Sequence, residues 1–138
     1  MQEPKELLHK FWDLMGQHFR ARPVFDDWLA LWCDDGVYEQ AYPAGGKPVR
    51  CVGKAEISGL IGPMDAAFRD FEFTEPTIFA TDDPALYMVR TTSEAVVAST
   101  GRTYLQDYLW LFWFRDGRIA YWRAYLNPLE VQKAFAPR

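Results

Sequence analysis

Between Thr103 and Leu126 the chain reads "TYLQDYLWLFWFRDGRIAYWRAYL", two long runs of alternating bulky residues around Asp116-Gly117. Alternation with period 2 belongs to strands with one buried face. Asp-Gly between two such runs predicts a two-residue hairpin, because both central positions of that turn need positive φ. A hairpin this long and this apolar requires something to cover it. The first part of the chain supplies the cover. Over residues 4–20, Leu7, Leu8, Phe11, Leu14, Met15, His18 and Phe19 fall near i, i+3, i+4, i+7 spacing, which predicts an amphipathic helix.

"FDDWLALWCDDG" predicts a second helix with Phe25, Trp28, Leu29 and Trp32 on one side, stopped at Asp35-Gly36. "VYEQAY" reads as a short strand and "PAGGKP" as a loop. "VGKAEISGLIGPMDAAF" reads as a third helix, split where Gly62-Pro63 removes a backbone donor. "FEFTEPTIFAT" and "ALYMVRTTSEAVVA" add two more strands, and residues 128–135 a last short helix. Helices followed by an antiparallel meander predict an α+β fold over residues 1–138, a single domain with the helices on one sheet face.

Aromatic residues make up 17% of the chain, more than a core of this size needs, which points to a ligand pocket, an apolar interface, or both. The net charge of −4 comes with no basic stripe, so nucleic acid is excluded as a partner. No apolar run approaches the roughly 20 residues of a membrane span. The N-terminal residues are charged and periodic and carry no targeting signal. Cys33 and Cys51 lack metal spacing and read as free thiols of a reducing, cytoplasmic compartment. No phosphate loop, metal constellation or nucleophile elbow is present, so neither metal nor cofactor is implied.

Counting outward from Asp116-Gly117 pairs Arg115 with Arg118, Phe114 with Ile119, Trp113 with Ala120, Leu111 with Trp122 and Leu109 with Ala124. This places Asp107, Leu109, Leu111, Trp113, Ala120, Trp122, Ala124 and Leu126 on the helix-covered face. The other face then holds Tyr104, Gln106, Tyr108, Trp110, Phe112, Tyr121, Arg123 and Tyr125, an aromatic surface expected to form a homodimer. Extending the count through "STGR" turns Glu94 and Arg90 inward beside Asp107.

An acid on an apolar inner face has its pKa raised by desolvation, so Asp107 is the leading catalytic candidate. Glu94 is its partner, since facing carboxylates push their pKa values apart into one acid and one base. Arg90 bridges the acids or binds an anionic group. Tyr38, Gln40 and Tyr42 alternate along the first strand as substrate-binding candidates or as packing. Trp12, Trp113 and Trp122 read as core and cavity lining. His18, on the apolar side of the first helix, reads as a pocket residue or a buried histidine bonded to backbone.

The element order, together with "CDDGVYEQ", "IFATDDPALYMVR" and "DGRIAYWRAYLNPLEV", resembles the SnoaL-like branch of the NTF2-like superfamily, nearest in pattern to the phenazine-biosynthesis A/B proteins. The resemblance implies a cystatin-like cone: a curved antiparallel sheet wrapped on the N-terminal helices around an inner pocket. It also implies a hydrophobic small-molecule substrate. Such proteins typically carry Glu where this chain has Ala124. Their functional histidine falls at Leu60, and the ketosteroid-isomerase base at Gln40. Ala124 therefore reads as a residue that makes space. The expected function is a cofactor-independent acid–base isomerase or cyclase, or an epoxide-opening enzyme, acting on a hydrophobic oxygenated metabolite of a biosynthetic pathway. The alternative is a non-catalytic small-molecule-binding dimer of the same fold.

Overall fold

The computed structural model describes residues 3–137. Its elements run α1 (Pro4–Phe19), α2 (Phe25–Leu29), β1 (Trp32–Ala41), β2 (Val49–Val52), α3 (Lys54–Ile61), a 3-10 segment (Gly62–Ala67), β3 (Phe68–Phe73), β4 (Thr77–Ala80), β5 (Leu86–Val97), β6 (Thr103–Arg115), β7 (Arg118–Tyr125) and α4 (Pro128–Phe135). The strands form one sheet in the order β2-β1-β7-β6-β5-β3, with β4 also on β5. All pairs are antiparallel except β1 with β7. This is the mixed α+β arrangement expected from the switch in periodicity.

Pro4 starts α1 at a position where its missing N–H costs nothing. The predicted apolar stripe is the buried stripe: Leu7, Leu8, Phe11, Leu14, Met15, His18 and Phe19. Phe11 is fully buried and sits at the centre of the aromatic layer. Its ring lies 5.0 Å from those of Phe112 and Trp122, 5.2 Å from Trp28 and 5.9 Å from Trp110. Truncating such a residue to alanine typically costs about 3–5 kcal/mol.

Three boundaries differ from the sequence reading. The second helix stops at Leu29, because Trp32 pairs with Ile119 and begins β1. "VRCV" forms β2 against β1, a strand too short for periodicity to show. The edge run "FEFTEPTIFAT" breaks at Glu75-Pro76 into β3 and β4, both on β5. The Asp-Gly hairpin forms as read: Asp116 and Gly117 have φ of 54° and 75°, and Arg115 pairs with Arg118 and Phe114 with Ile119.

The next pair departs from simple counting. Trp113 meets Tyr121, not Ala120, so Ala120 is an extra residue bulged out of β7. On its other side β7 meets a matching irregularity, where β1 spends Cys33–Gly36 against that single residue. One inserted residue flips one strand's alternation relative to its partner. Trp122 and Ala124 point inward as expected, paired with Phe112 and Trp110. The β6 residues that point inward are therefore Tyr104, Gln106, Tyr108, Trp110 and Phe112, all buried. The expected placement of Asp107, Leu109, Leu111 and Trp113 under the helices is overturned, as is the outward placement of the aromatic β6 row.

Gly36 closes the β1 irregularity. A Cβ there would lie 2.6 Å from the ring of Trp32, which is fully buried, and 3.1 Å from the Cys33 carbonyl. Gly36→Ala is expected to cost about 1–3 kcal/mol through overpacking. Chemical denaturation checks this; a midpoint equal to that of wild type would show that the Trp32 ring moves aside freely.

Candidate functional site

The inner face of the sheet, α1, the 3-10 segment and α4 form a half-open cavity of about 350 Å³. Its walls are mainly aromatic, with Phe19, Phe68, Phe71, Phe73, Trp110 and Phe135 among them. The polar groups at its surface come from Tyr38 and Gln40 of β1, Tyr104 and Tyr108 of β6, and Trp122 of β7. Among the described residues, no carboxylate, imidazole or cation lines it.

The strand pairings explain this grouping. Tyr38 pairs with Trp122 and Gln40 with Ala124 across β1 and β7, and Ala124 pairs in turn with Trp110. Ala124, 1% exposed, is thus a notch between Gln40 and Trp110. The Trp122 ring stacks on Phe112 with planes 4° apart and meets the Tyr38 ring at 4.4 Å. The Trp122 indole N–H, like those of Trp28 and Trp32, is buried in the aromatic layer and has no partner.

The three tyrosine hydroxyls are held in their neutral form. Burial pushes the pKa of Tyr38 and of Tyr108 well above the usual tyrosine value. Burial raises that of Tyr104 too, while a hydrogen bond from Gln106 pulls the other way. The Tyr108 hydroxyl lies 2.9 Å from Ser93 Oγ, and the Tyr104 hydroxyl accepts from Gln106 Nε2 at 3.0 Å. At neutral pH these groups donate and accept hydrogen bonds; they do not act as anionic bases.

Of the residues singled out from sequence, Tyr38, Gln40, Trp122 and Ala124 meet in the cavity. The others lie elsewhere. Asp107 and Arg90 are on the outer face, joined by an ion pair of 3.1 Å with both side chains about 60% exposed (60% and 61%). Such a surface pair contributes about 0–1 kcal/mol. Glu94 is exposed on the same face and pairs with Leu105 and Glu72, not with Asp107. The expected inward acid pair with its bridging arginine is corrected on this geometry: the bulge at Ala120 turns that face of β6 outward, and β5 meets β6 two residues away from the expected register, with Thr92 opposite Asp107. Tyr42 follows the end of β1 with φ of 53°, which breaks the alternation and leaves it 71% exposed. Trp113 packs on Tyr121 on the outer face. Trp12 donates its indole N–H to Thr91 Oγ1 at 3.3 Å, away from the cavity. His18 is buried behind the wall, its Nε2 3.2 Å from the Ile61 carbonyl oxygen, which ties α1 to α3.

Tyr104, Tyr108 and the phenylalanines of β3 were missed as pocket residues. A signal for the β6 pair was available. Its two alternate faces are equally apolar from Tyr108 onward, but only the Leu105–Asp107–Leu109 face would bury a charge.

Residues 9–122 match the SnoaL-like domain family model. The chain belongs to the SnoaL-like family. The chain is 35% identical over 108 residues to the uncharacterized protein YesE of Bacillus subtilis, which covers 78% of this chain and 74% of that one. It is 31% identical over 109 residues to an uncharacterized PhzA/B-like protein of Pseudomonas aeruginosa, with 75% of each chain covered. A crystal structure described as a "Putative Isomerase from Bacillus subtilis" superposes with a TM-score of 0.84 at 29% identity, covering 100% of this chain and 98% of that one. Within this SnoaL-like chain, Ala124 and Gln40 both line the cavity and Leu60 does not. No helix among the described residues is long and apolar enough to cross a membrane.

The buried tyrosines set the alkaline stability. The folded state keeps their protons while the unfolded chain releases them from about pH 10 upward, so stability present below that pH is lost as pH rises. Each tyrosine contributes a slope of up to about 1.4 kcal/mol per pH unit there. Thermal melts from pH 8 to about 11 should show a steepening fall in Tm. Tyr108→Phe should make that fall shallower; an identical slope in the variant would refute the assignment.

Proposed function

We propose that the protein is an isomerase- or cyclase-type enzyme for an uncharged, apolar, oxygen-bearing small molecule, acting without a cofactor. The observation that carries this reading is the character of the cavity: aromatic walls with the neutral tyrosine hydroxyls and the Gln40 amide set among them. Aromatic walls favour a flat, apolar body. Neutral donors favour a carbonyl or similar oxygen, whose developing negative charge they stabilise when a proton leaves the adjacent carbon. The chemistry then rests on polarising the oxygen, and the carbon-bound proton passes to water. The name of the Bacillus isomerase-like structure is consistent with this reading. So is the likeness to a PhzA/B-like protein.

A second reading is a non-catalytic binding protein of the same fold. It is favoured by Ala124 and Gln40, which leave the cavity without an ionisable group at those two positions.

The partner proposal is a homodimer through the outer sheet face, with corrected membership. Leu105 and Leu109 are 52% and 38% exposed, and Met88, Leu111, Trp113, Tyr121 and Tyr125 are half-buried around them. Trp110 belongs to the core, so Leu109→Glu is the appropriate probe. It should convert a dimer to a monomer in sedimentation; a monomeric wild type at micromolar concentration would refute the interface.

For the reaction, 2-tetralone is a suitable flat ketone. The protein should accelerate exchange of its α-hydrogens with deuterated solvent, followed by NMR, with little dependence on pH from about 6 to 9, since no pocket group titrates there. Tyr38→Phe removes one hydroxyl donor of the cavity lining and should slow exchange by about tenfold or more. Binding without exchange would select the second reading. No binding of any flat ketone would refute both.

A further inference from the structure

Gln106 is 4% exposed and spends its whole side-chain amide on hydrogen bonds. Oε1 accepts from the backbone N–H groups of Asn127 at 2.7 Å and Asp107 at 3.1 Å. Two N–H groups on one end fix which end is oxygen. Nε2 must then be the other end. It donates to the Asn127 carbonyl and to the Tyr104 hydroxyl, both at 3.0 Å. The Asn127 contacts anchor Gln106 at the root of α4, where Asn127 Oδ1 also accepts from Leu129 N–H at 3.0 Å. The orientation of the amide is therefore set by backbone and cannot easily invert.

This has a consequence for Tyr104. Its oxygen accepts from Gln106 and its hydroxyl also neighbours that of Tyr108, so when Tyr108 donates across that contact the Tyr104 proton is left for the cavity that Tyr104 lines. The Tyr108 hydroxyl, on its far side, is shared with Ser93, which can donate to it. We propose that Gln106 is a positioning residue that aims the Tyr104 O–H into the cavity as an obligatory donor, making the site selective for ligands with an acceptor oxygen at that place. The inference rests on the ligand class proposed above and names the group that selects within it. A donor whose oxygen also accepts is polarised and strengthened, and Gln106 supplies that polarisation without touching the ligand.

The test uses two probes of nearly equal shape, 2-acetylnaphthalene and 2-isopropenylnaphthalene, which differ in a carbonyl against a methylene. Dissociation constants are read from quenching of tryptophan fluorescence. Wild type should prefer the ketone by about five- to tenfold, the worth of one hydrogen bond. Tyr104→Phe keeps the ring stacked on Phe68 and should reduce that preference to near one. Gln106→Glu keeps an acceptor for the Asn127 N–H but takes the Tyr104 proton for its carboxylate. It should lose the same preference while the hydrocarbon binds as before. In the double variant the two losses should not add. A ketone preference that survives Tyr104→Phe overturns the proposal, whether or not Gln106→Glu folds. So does a preference lost in Tyr104→Phe but kept in a folded Gln106→Glu. If neither probe binds wild type, the ligand class fails, and this inference with it.

Discussion

Where β7 leaves the hairpin, one residue fails to find a partner, and the functional face of the sheet follows from it. Ala120 bulges between Ile119 and Tyr121, and β1 answers on the other side with Cys33–Gly36. Bulges of this kind bend a strand and increase its twist. Here two coincide at one level of the sheet, where a Cβ on Gly36 would press on the Trp32 ring. Above that level the alternation of β6 is reversed relative to β7. Trp110 and Phe112 thereby join Trp122 around Phe11. Without the bulge, Asp107 would lie beneath the helices, where an unpaired carboxylate costs several kcal/mol.

The aromatic layer and the cavity are two ends of the same inner face. Toward the hairpin, Phe11, Trp28, Trp32, Phe112 and Trp122 fill the space completely. Toward α4, the side chains of β1 and β7 shorten to Gln40 and Ala124, and the filling stops. The cavity is a place where the core was left out. Its remaining polar groups are neutral because burial holds the tyrosine protons in place. The same burial that stabilises the fold thus limits the chemistry to hydrogen bonding.

The ionisable residues that drew attention in the sequence make up an outer surface. Arg90 and Asp107 pair there, and Glu39 accepts from Tyr121, Arg123 and Arg50. These contacts lie on the far side of the sheet from the cavity. They solvate the outer face and break up its apolar patches.

The sequence by itself determined most of the elements and the order in which they come, the short β2 and the division of β3 from β4 excepted. The 3.6-residue stripe from Leu7 to Phe19, the Asp116-Gly117 turn, the Gly62-Pro63 break and Asn127-Pro128 before the last helix are all local signals, and local dihedral preferences and periodicity carry them. It also put Tyr38 with Gln40 on one face of β1 and Trp122 with Ala124 on one face of β7, because each pair lies two residues apart in its strand. Tertiary structure decided which face of β6 meets them. Between Tyr108 and Phe114 both alternate sets are bulky and apolar, so periodicity is silent there. The deciding event, a bulge at Ala120, depends on how β7 is held between β1 and β6 at once. Parity across strands is a non-local property: a single unpaired residue inverts it, and no run of residues within one strand records that it has happened.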